Sequence, residues 1–214
     1  MFSLLLSALG ETLVMVFAAG ALGMVGGVPL GTALFVTKPE RFLGNPWVHR
    51  ALGVLVNTGR SVPFIILLVA IAPFTRWLTG TSIGVSAAIV PLAIGAVPFV
   101  ARLVEGALLE VPPGQIEAAQ VLGAGHCQVI CRVLLPEALP GILHSATLLL
   151  VTLVNYSAMA GAIGAGGLGD VGIRYGIHRY DGAVIFVVVV VIIVLVQGIQ
   201  WVGDWLTARA DKRF

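Results

Sequence analysis

Charge is the scarcest feature of this 214-residue chain, with only 10% of its side chains Asp, Glu, Lys or Arg. Water-soluble domains carry about 25%. With 58% hydrophobic residues and a mean hydropathy of +1.05, the chain belongs in a bilayer. A basic surplus is also missing: twelve Lys and Arg against ten Asp and Glu leave a formal charge of +2. That is too little to hold nucleic acid by counterion release. The only two cysteines, Cys127 and Cys131, exclude a disulfide framework. Their spacing puts them one turn apart on one helix face, where small buried thiols are expected rather than metal or redox chemistry. Met1 to Gly10 holds no Lys or Arg, so it lacks the charged segment that opens a signal peptide. Glycine, by contrast, is abundant at 27 residues. It shows no triplet period and points instead to helices packed closely through small residues.

A helix crossing ~30 Å of hydrocarbon needs about 20 apolar residues, and five stretches qualify. The predicted architecture is an all-α integral membrane protein forming one transmembrane domain over 1–214, with spans at about 12–36, 54–75, 80–101, 139–162 and 183–203. Arg60 interrupts the second stretch and is expected near its inner end, where it can snorkel to headgroups. Putting the first and third connections and the C-terminus in the cytoplasm collects Lys38, Arg41, Arg50, Arg60, Arg102, Arg132, Arg209, Lys212 and Arg213. Arg76, Arg174 and Arg179 remain outside. The positive-inside rule therefore predicts the N-terminus outside and the C-terminus in the cytoplasm. Trp201 and Trp205 would anchor the last helix at the inner interface.

Connections in helical bundles run about 2 to 8 residues, but the segment 102–137 spans 36 residues with few polar ones. It must fold or dock. Pro112, Pro113 and Gly114 are expected to stop one helix, and Gly123 or Gly125 the next. Between them the pattern predicts a helix of about two turns, with Glu117 in its first turn, where the helix dipole favours an anion. Ile116, Ala119, Val121 and Leu122 give it an apolar side. A helix this short is unstable alone in water, so something covers that side: the chain's own inner surface or a cytoplasmic partner.

A family resemblance decides between these. Glu117-Ala118-Ala119, three residues, Gly123, nine residues, Val133, one residue and Leu135-Pro136 resemble the EAA loop of ABC-importer permeases, with Val133 in place of Ile. The resemblance implies the type I ABC importer permease fold. It makes the 115–125 helix a coupling helix seated in a cleft of an ATP-hydrolysing subunit. Arg60-Ser61-Val62-Pro63 and the apolar run behind it resemble the opening of the second helix in amino-acid importer permeases. Thr81-Ser82-Ile83-Gly84, Ala87 to Leu92, Leu134 to Gly141 and Tyr156 to Met159 are similar to methionine importer permeases. Together these pieces span nearly the whole chain.

Gly164-Ala165-Gly166-Gly167-Leu168-Gly169 matches the dinucleotide fingerprint literally. A nucleotide site needs a short strand before it and an acidic residue about 20 positions on, whereas here a span-length run precedes and the next carboxylates are Asp170 and Asp181. The motif reads instead as a tightly packed external turn. With Asp170, Arg174, Tyr175, His178 and Arg179 it is a candidate surface for a soluble substrate-delivery protein.

Membrane-embedded carboxylates are nearly absent, which argues against proton- or sodium-coupled transport. Polar groups in the spans, Asn57, His144, Asn155, Tyr156 and Ser157, should face other helices or a cavity, and His144 is expected to bond between helices. Resemblance to the methionine permeases assigns Asn155, Tyr156, Ser157 and Met159 to the translocation pathway or its external gate, with ordinary helix packing the competing reading. The flexible thioether of Met159 suits a narrow apolar closure. Five helices in one copy leave little room to surround a solute, so a homodimer is expected. The resemblance further implies two cytoplasmic ATP-binding subunits holding ATP and Mg, no cofactor or catalytic residue on this chain, an external substrate-binding lipoprotein, and a bacterial inner-membrane location. The substrate it implies is methionine, D- and L-. An intramembrane enzyme is the rival class, but it would need a nucleophile with a base or clustered carboxylates, and neither is visible. A non-transport scaffold is the other rival and would be indifferent to ATP.

Overall fold

Hydrocarbon offers backbone polar groups no water, so a chain this apolar must satisfy them within helices. The computed structural model describes residues 2–211, and all regular structure among them is helical. In chain order the helices are α1 (Phe2–Val36), α2 (Pro46–Ser61), α3 (Phe64–Ala70), α4 (Ala72–Thr79), α5 (Val85–Leu109), α6 (Pro113–Val121), α7 (His126–Val129), α8 (Leu135–Glu137), α9 (Leu139–Gly161), α10 (Gly167–Val171) and α11 (Gly182–Ala210). Ile130–Leu134 and Gly172–Ile177 form π-helical turns. Four helices, α1, α5, α9 and α11, are long and apolar enough to cross a membrane, and α2 with α3 makes a fifth candidate bent by 98°. Lys212 and Arg213, which weigh in the charge count, lie outside the described residues, as does Met1.

Several boundaries differ from the sequence reading. Helix α1 starts ten residues before the expected 12–36 span and carries Glu11 inside it, because a single carboxylate that finds a partner does not stop a helix. The stretch expected as one span over 54–75 is three helices. Pro63 lacks an N–H and drives the preceding residue out of helical space, and Val62 is accordingly extended at φ −84°, ψ 122°. Helix α5 runs on to Leu109, so the first eight residues of the 102–137 segment extend a span rather than form a loop. Cys127 and Cys131 are both exposed and free. Their helix face points away from the protein core, so they are not the buried thiols expected.

The most extensive helix pair is α1 with α5. Gly23, Gly27 and Gly31 put a bare stripe on α1, and a Cβ at Gly23 would sit 2.6 Å from that of Ala96. Added Cβ atoms at Gly27 and Gly31 would overlap Val100 and the Ala101 carbonyl. Helix α9 packs on both α5 and α11. Of α11, only Val184, Val188 and Gly203 are buried, so it forms the outer flank. The start of α5 meets the end of α9 at one end of the bundle, where Gly84 N–H donates to the Gly164 carbonyl at 3.1 Å. The end of α1 and the segment from α6 to α8 lie at the other, joined by a stack of Phe42 on His126 with centroids 5.5 Å apart.

Candidate functional site

The segment after α5 is built by local chemistry. Pro112 caps α6 and Pro113 opens it, where a missing N–H costs nothing. The prolines and Gly114 therefore start this helix, whereas the sequence reading had them end the one before. As a result Glu117 falls in the second turn, and no acidic residue occupies the first; the dipole argument for it does not apply. Gln115 Nε2 donates to Glu137 Oε1 at 3.1 Å, tying α6 to α8. Ile116 is buried and Ala119 packs against the core from the same side. Glu117 and Ala118 face outward. Val121 and Leu122 are each 87% exposed. The apolar side expected for this helix thus divides: Ile116 and Ala119 meet the chain's own core, and the C-terminal tip is left bare.

Gly123 ends α6 at φ +81°. Its N–H donates to the Gln120 carbonyl at 2.9 Å, and the Ala124 N–H to the Ala119 carbonyl at 3.0 Å. This pair of bonds is the Schellman closure, which requires a left-handed residue where glycine alone is free of strain. The spacing from Ala119 to Gly123 is therefore a turn requirement. Downstream, Gln128 Oε1 accepts from the Gly125 N–H at 3.0 Å and starts α7. The wide π turn at Ile130–Leu134 precedes Pro136, which has no N–H to give the regular ladder and whose ring needs room. Leu134 is fully buried, Leu135 is half-buried and Pro136 is exposed, so it is Leu134, next to the Leu135-Pro136 pair, that anchors the far side of the segment.

In α9, Asn155 and Met159 lie one turn apart on an exposed face, Met159 39% exposed. Tyr156, at the edge of that face, stacks on Phe64 of α3 with centroids 4.5 Å apart and planes within 2°. Ser157 faces the opposite way: it is buried, and its hydroxyl donates to the Val154 carbonyl at 2.7 Å. The structure thus brings Asn155, Tyr156 and Met159 together and leaves Ser157 in the packing. Asn57 does face another helix, its Oδ1 accepting from Arg102 Nη2 at 2.7 Å, and Arg102 also pairs with Glu105 at 2.6 Å. His144 makes no bond between helices among the described residues. It lines a cavity of about 460 Å³ with Arg102, Glu110, Glu137 and Thr207.

The glycine-rich turn holds an anion that belongs to the chain itself. Gly166 and Gly167 have φ of +85° and +77°, and the Gly167 N–H donates to Glu11 Oε2 at 2.7 Å. Leu168 N–H donates to Thr12 Oγ1 at 2.9 Å. Glu11 was missed at the sequence level, although a lone carboxylate in an apolar run is itself a signal. Nearby, Asp170 pairs with Arg174 at 3.0 Å, and the Arg179 guanidinium sits 4.7 Å over the Tyr175 ring.

A family model described as binding-protein-dependent transport system inner membrane component matches residues 23–214. This chain belongs to that family. Membership makes it the inner membrane component of such a transport system. Among relatives, a probable D-methionine transport system permease protein of Vibrio cholerae is 61% identical over 210 residues, covering 98% of this chain and 93% of that one. The D-methionine transport system permease protein of Escherichia coli K12 is 53% identical over 161 residues, 75% of this chain and 74% of its own. Among solved structures, an inward-facing conformation of the MetNI methionine ABC transporter superposes with a TM-score of 0.98 at 50% identity, covering 99% of this chain and 98% of that one. An amino-acid ABC transporter solved with histidines shares the fold, at a TM-score of 0.79 and 21% identity.

Proposed function

We propose that this chain is the permease subunit of an ATP-driven methionine importer. The observation that carries this reading is the bare apolar tip of α6, held out by the Gly123 turn. Val121 and Leu122, 87% exposed in a helix that the rest of the chain covers on one side only, call for a partner. Burying both contributes up to about 3–6 kcal/mol, enough to matter in docking once ordering costs are met. The likeness to methionine transporters supports both the substrate and the nature of that partner.

In this reading two copies form the pathway, and each α6 sits in a cleft of a cytoplasmic ATP-binding subunit that holds ATP and Mg. Cleft closure on ATP binding pulls Glu117 to Gly123 inward, and the bundles rock from inward-open to outward-open. The Leu135-Pro136 side transmits the pull to α9, where Asn155, Tyr156 and Met159 gate the path. An external lipoprotein delivers methionine at the opposite end, near Asp170, Arg174 and Arg179. The N-terminus lies outside and the C-terminus in the cytoplasm.

Vesicles holding the chain, its ATPase subunit and a methionine-binding lipoprotein are expected to accumulate radiolabelled methionine only with ATP inside. Replacing Glu117 and Gly123 together should strip the ATPase from the purified complex and abolish uptake. Uptake without ATP, or firm ATPase retention by the double variant, would overturn the reading.

A further inference from the structure

Arg60 lies deeper than its sequence position suggests. Its neighbour Gly59 faces Pro98, which a Cβ there would meet at 3.0 Å. The cavity beside Arg60 is lined by Gly95 and Phe99. Because α5 runs from Val85 to Leu109, those residues are at its middle, roughly 15–20 Å from either helix end at 1.5 Å per residue. This corrects the expected place near the inner end of a span. A cation at that depth is costly unless it is paired or faces a cavity.

The two arginines at the interface of α2 and α5 differ in this respect. Arg102 is satisfied twice, by Glu105 and Asn57. The Arg60 guanidinium has no hydrogen bond or ion pair among the described residues. Arg60 is exposed on this single copy and borders a cavity of about 240 Å³, walled by Phe64, Leu67, Phe99 and Tyr156. The chain breaks by 98° two residues after it, and broken helices are where transporters place solute sites. The volume is below that of drug-sized pockets, about 300–1,000 Å³, and suits a smaller solute. A planar guanidinium selects a carboxylate by a two-point contact, and parallel aromatic rings offer favourable surface to a thioether.

We propose that Arg60 and the wall of Phe64 and Tyr156 form a substrate site inside the permease. The guanidinium holds the α-carboxylate of the amino acid in transit, and the aromatic wall takes its side chain. This rests on the methionine-import reading above, and it joins the Arg60 motif to the α9 cluster through Tyr156.

The test is binding of radiolabelled L-methionine to the complex of permease and ATPase in nanodiscs, without the lipoprotein, with L-methionine α-amide as competitor. The amide is expected to compete about tenfold to a hundredfold more weakly, the measure of a lost charge-assisted bond. Arg60→Gln should weaken methionine by a similar factor while still co-purifying with the ATPase, and Arg60→Lys should fall between. In vesicles with lipoprotein, Arg60→Gln should raise the KM for uptake. Equal competition by the amide on the unaltered complex overturns the site without needing any variant to fold. So does an unchanged KM in Arg60→Gln, or loss of the association between copies, which would make Arg60 a structural residue. Each of those results leaves the import reading intact, whereas failure of unaltered vesicles to import methionine overturns import itself.

Discussion

Replacing Gly123 by Ala, Asn and Val in turn separates a backbone requirement from a steric one. A Cβ at Gly123 would meet nothing within 4 Å, so alanine introduces no clash. The whole cost comes from the left-handed conformation at φ +81°, about 1–2 kcal/mol for an ordinary residue. Helix α6 is nine residues long and marginal by itself, so this cost passes from helix closure into docking. The fraction of α6 ready for the partner falls, and the apparent affinity falls with it, by a factor of about 5–30. Asparagine tolerates the left-handed region and should recover most of the loss, while β-branched valine should do worst. The assay titrates the ATPase subunit against immobilised permease and follows ATP hydrolysis in vesicles. Retention ordered Gly, Asn, Ala, Val supports the argument. A flat series would refute it, as would an asparagine variant no better than valine.

Three further outcomes follow from other contacts. Glu11→Ala removes the acceptor for the Gly167 N–H and should cost about 1–3 kcal/mol, read as earlier thermal unfolding and faster proteolysis near Gly164–Gly169; Glu11→Gln keeps an acceptor oxygen and should be milder. Gly31→Val drives a side chain into α5 and should sharply reduce the folded yield in membranes, whereas Gly106→Ala, with open space around its Cα, should be neutral in the same fluorescence-detected chromatography. Met159→Ala should raise basal ATP turnover and make vesicles leak methionine, and unchanged values for both would remove Met159 from the gate.

Sequence made legible what long-range apolarity and local turn chemistry dictate. The runs behind α1, α5, α9 and α11 announce themselves by length, and Gly123 and Gly125 together announce an end to α6, the left-handed backbone at Gly123 making it the one that closes the turn. Pro63 was legible as a residue but not as a 98° bend, since proline breaks a helix without stating the direction in which the chain resumes. Its misreading hid the depth of Arg60, which depends on the neighbouring α5. The bond from Gly167 to Glu11 joins residues 156 positions apart, beyond the reach of any local pattern. Val121 and Leu122 looked equivalent to Ile116 by composition. Only the three-dimensional arrangement separates the buried one from the exposed pair.

The bare stripe along α1 has a mechanical consequence. With Gly23, Gly27 and Gly31 letting two backbones nearly touch, α1 brings no side chain along that stripe to shear or re-pack against α5. Along it the two helices are expected to move together as one strut. Compliance during a transport cycle must then reside at the elbow around Val62 and Pro63 and at the knuckle between Leu109 and Pro113, the joints at either side of that strut.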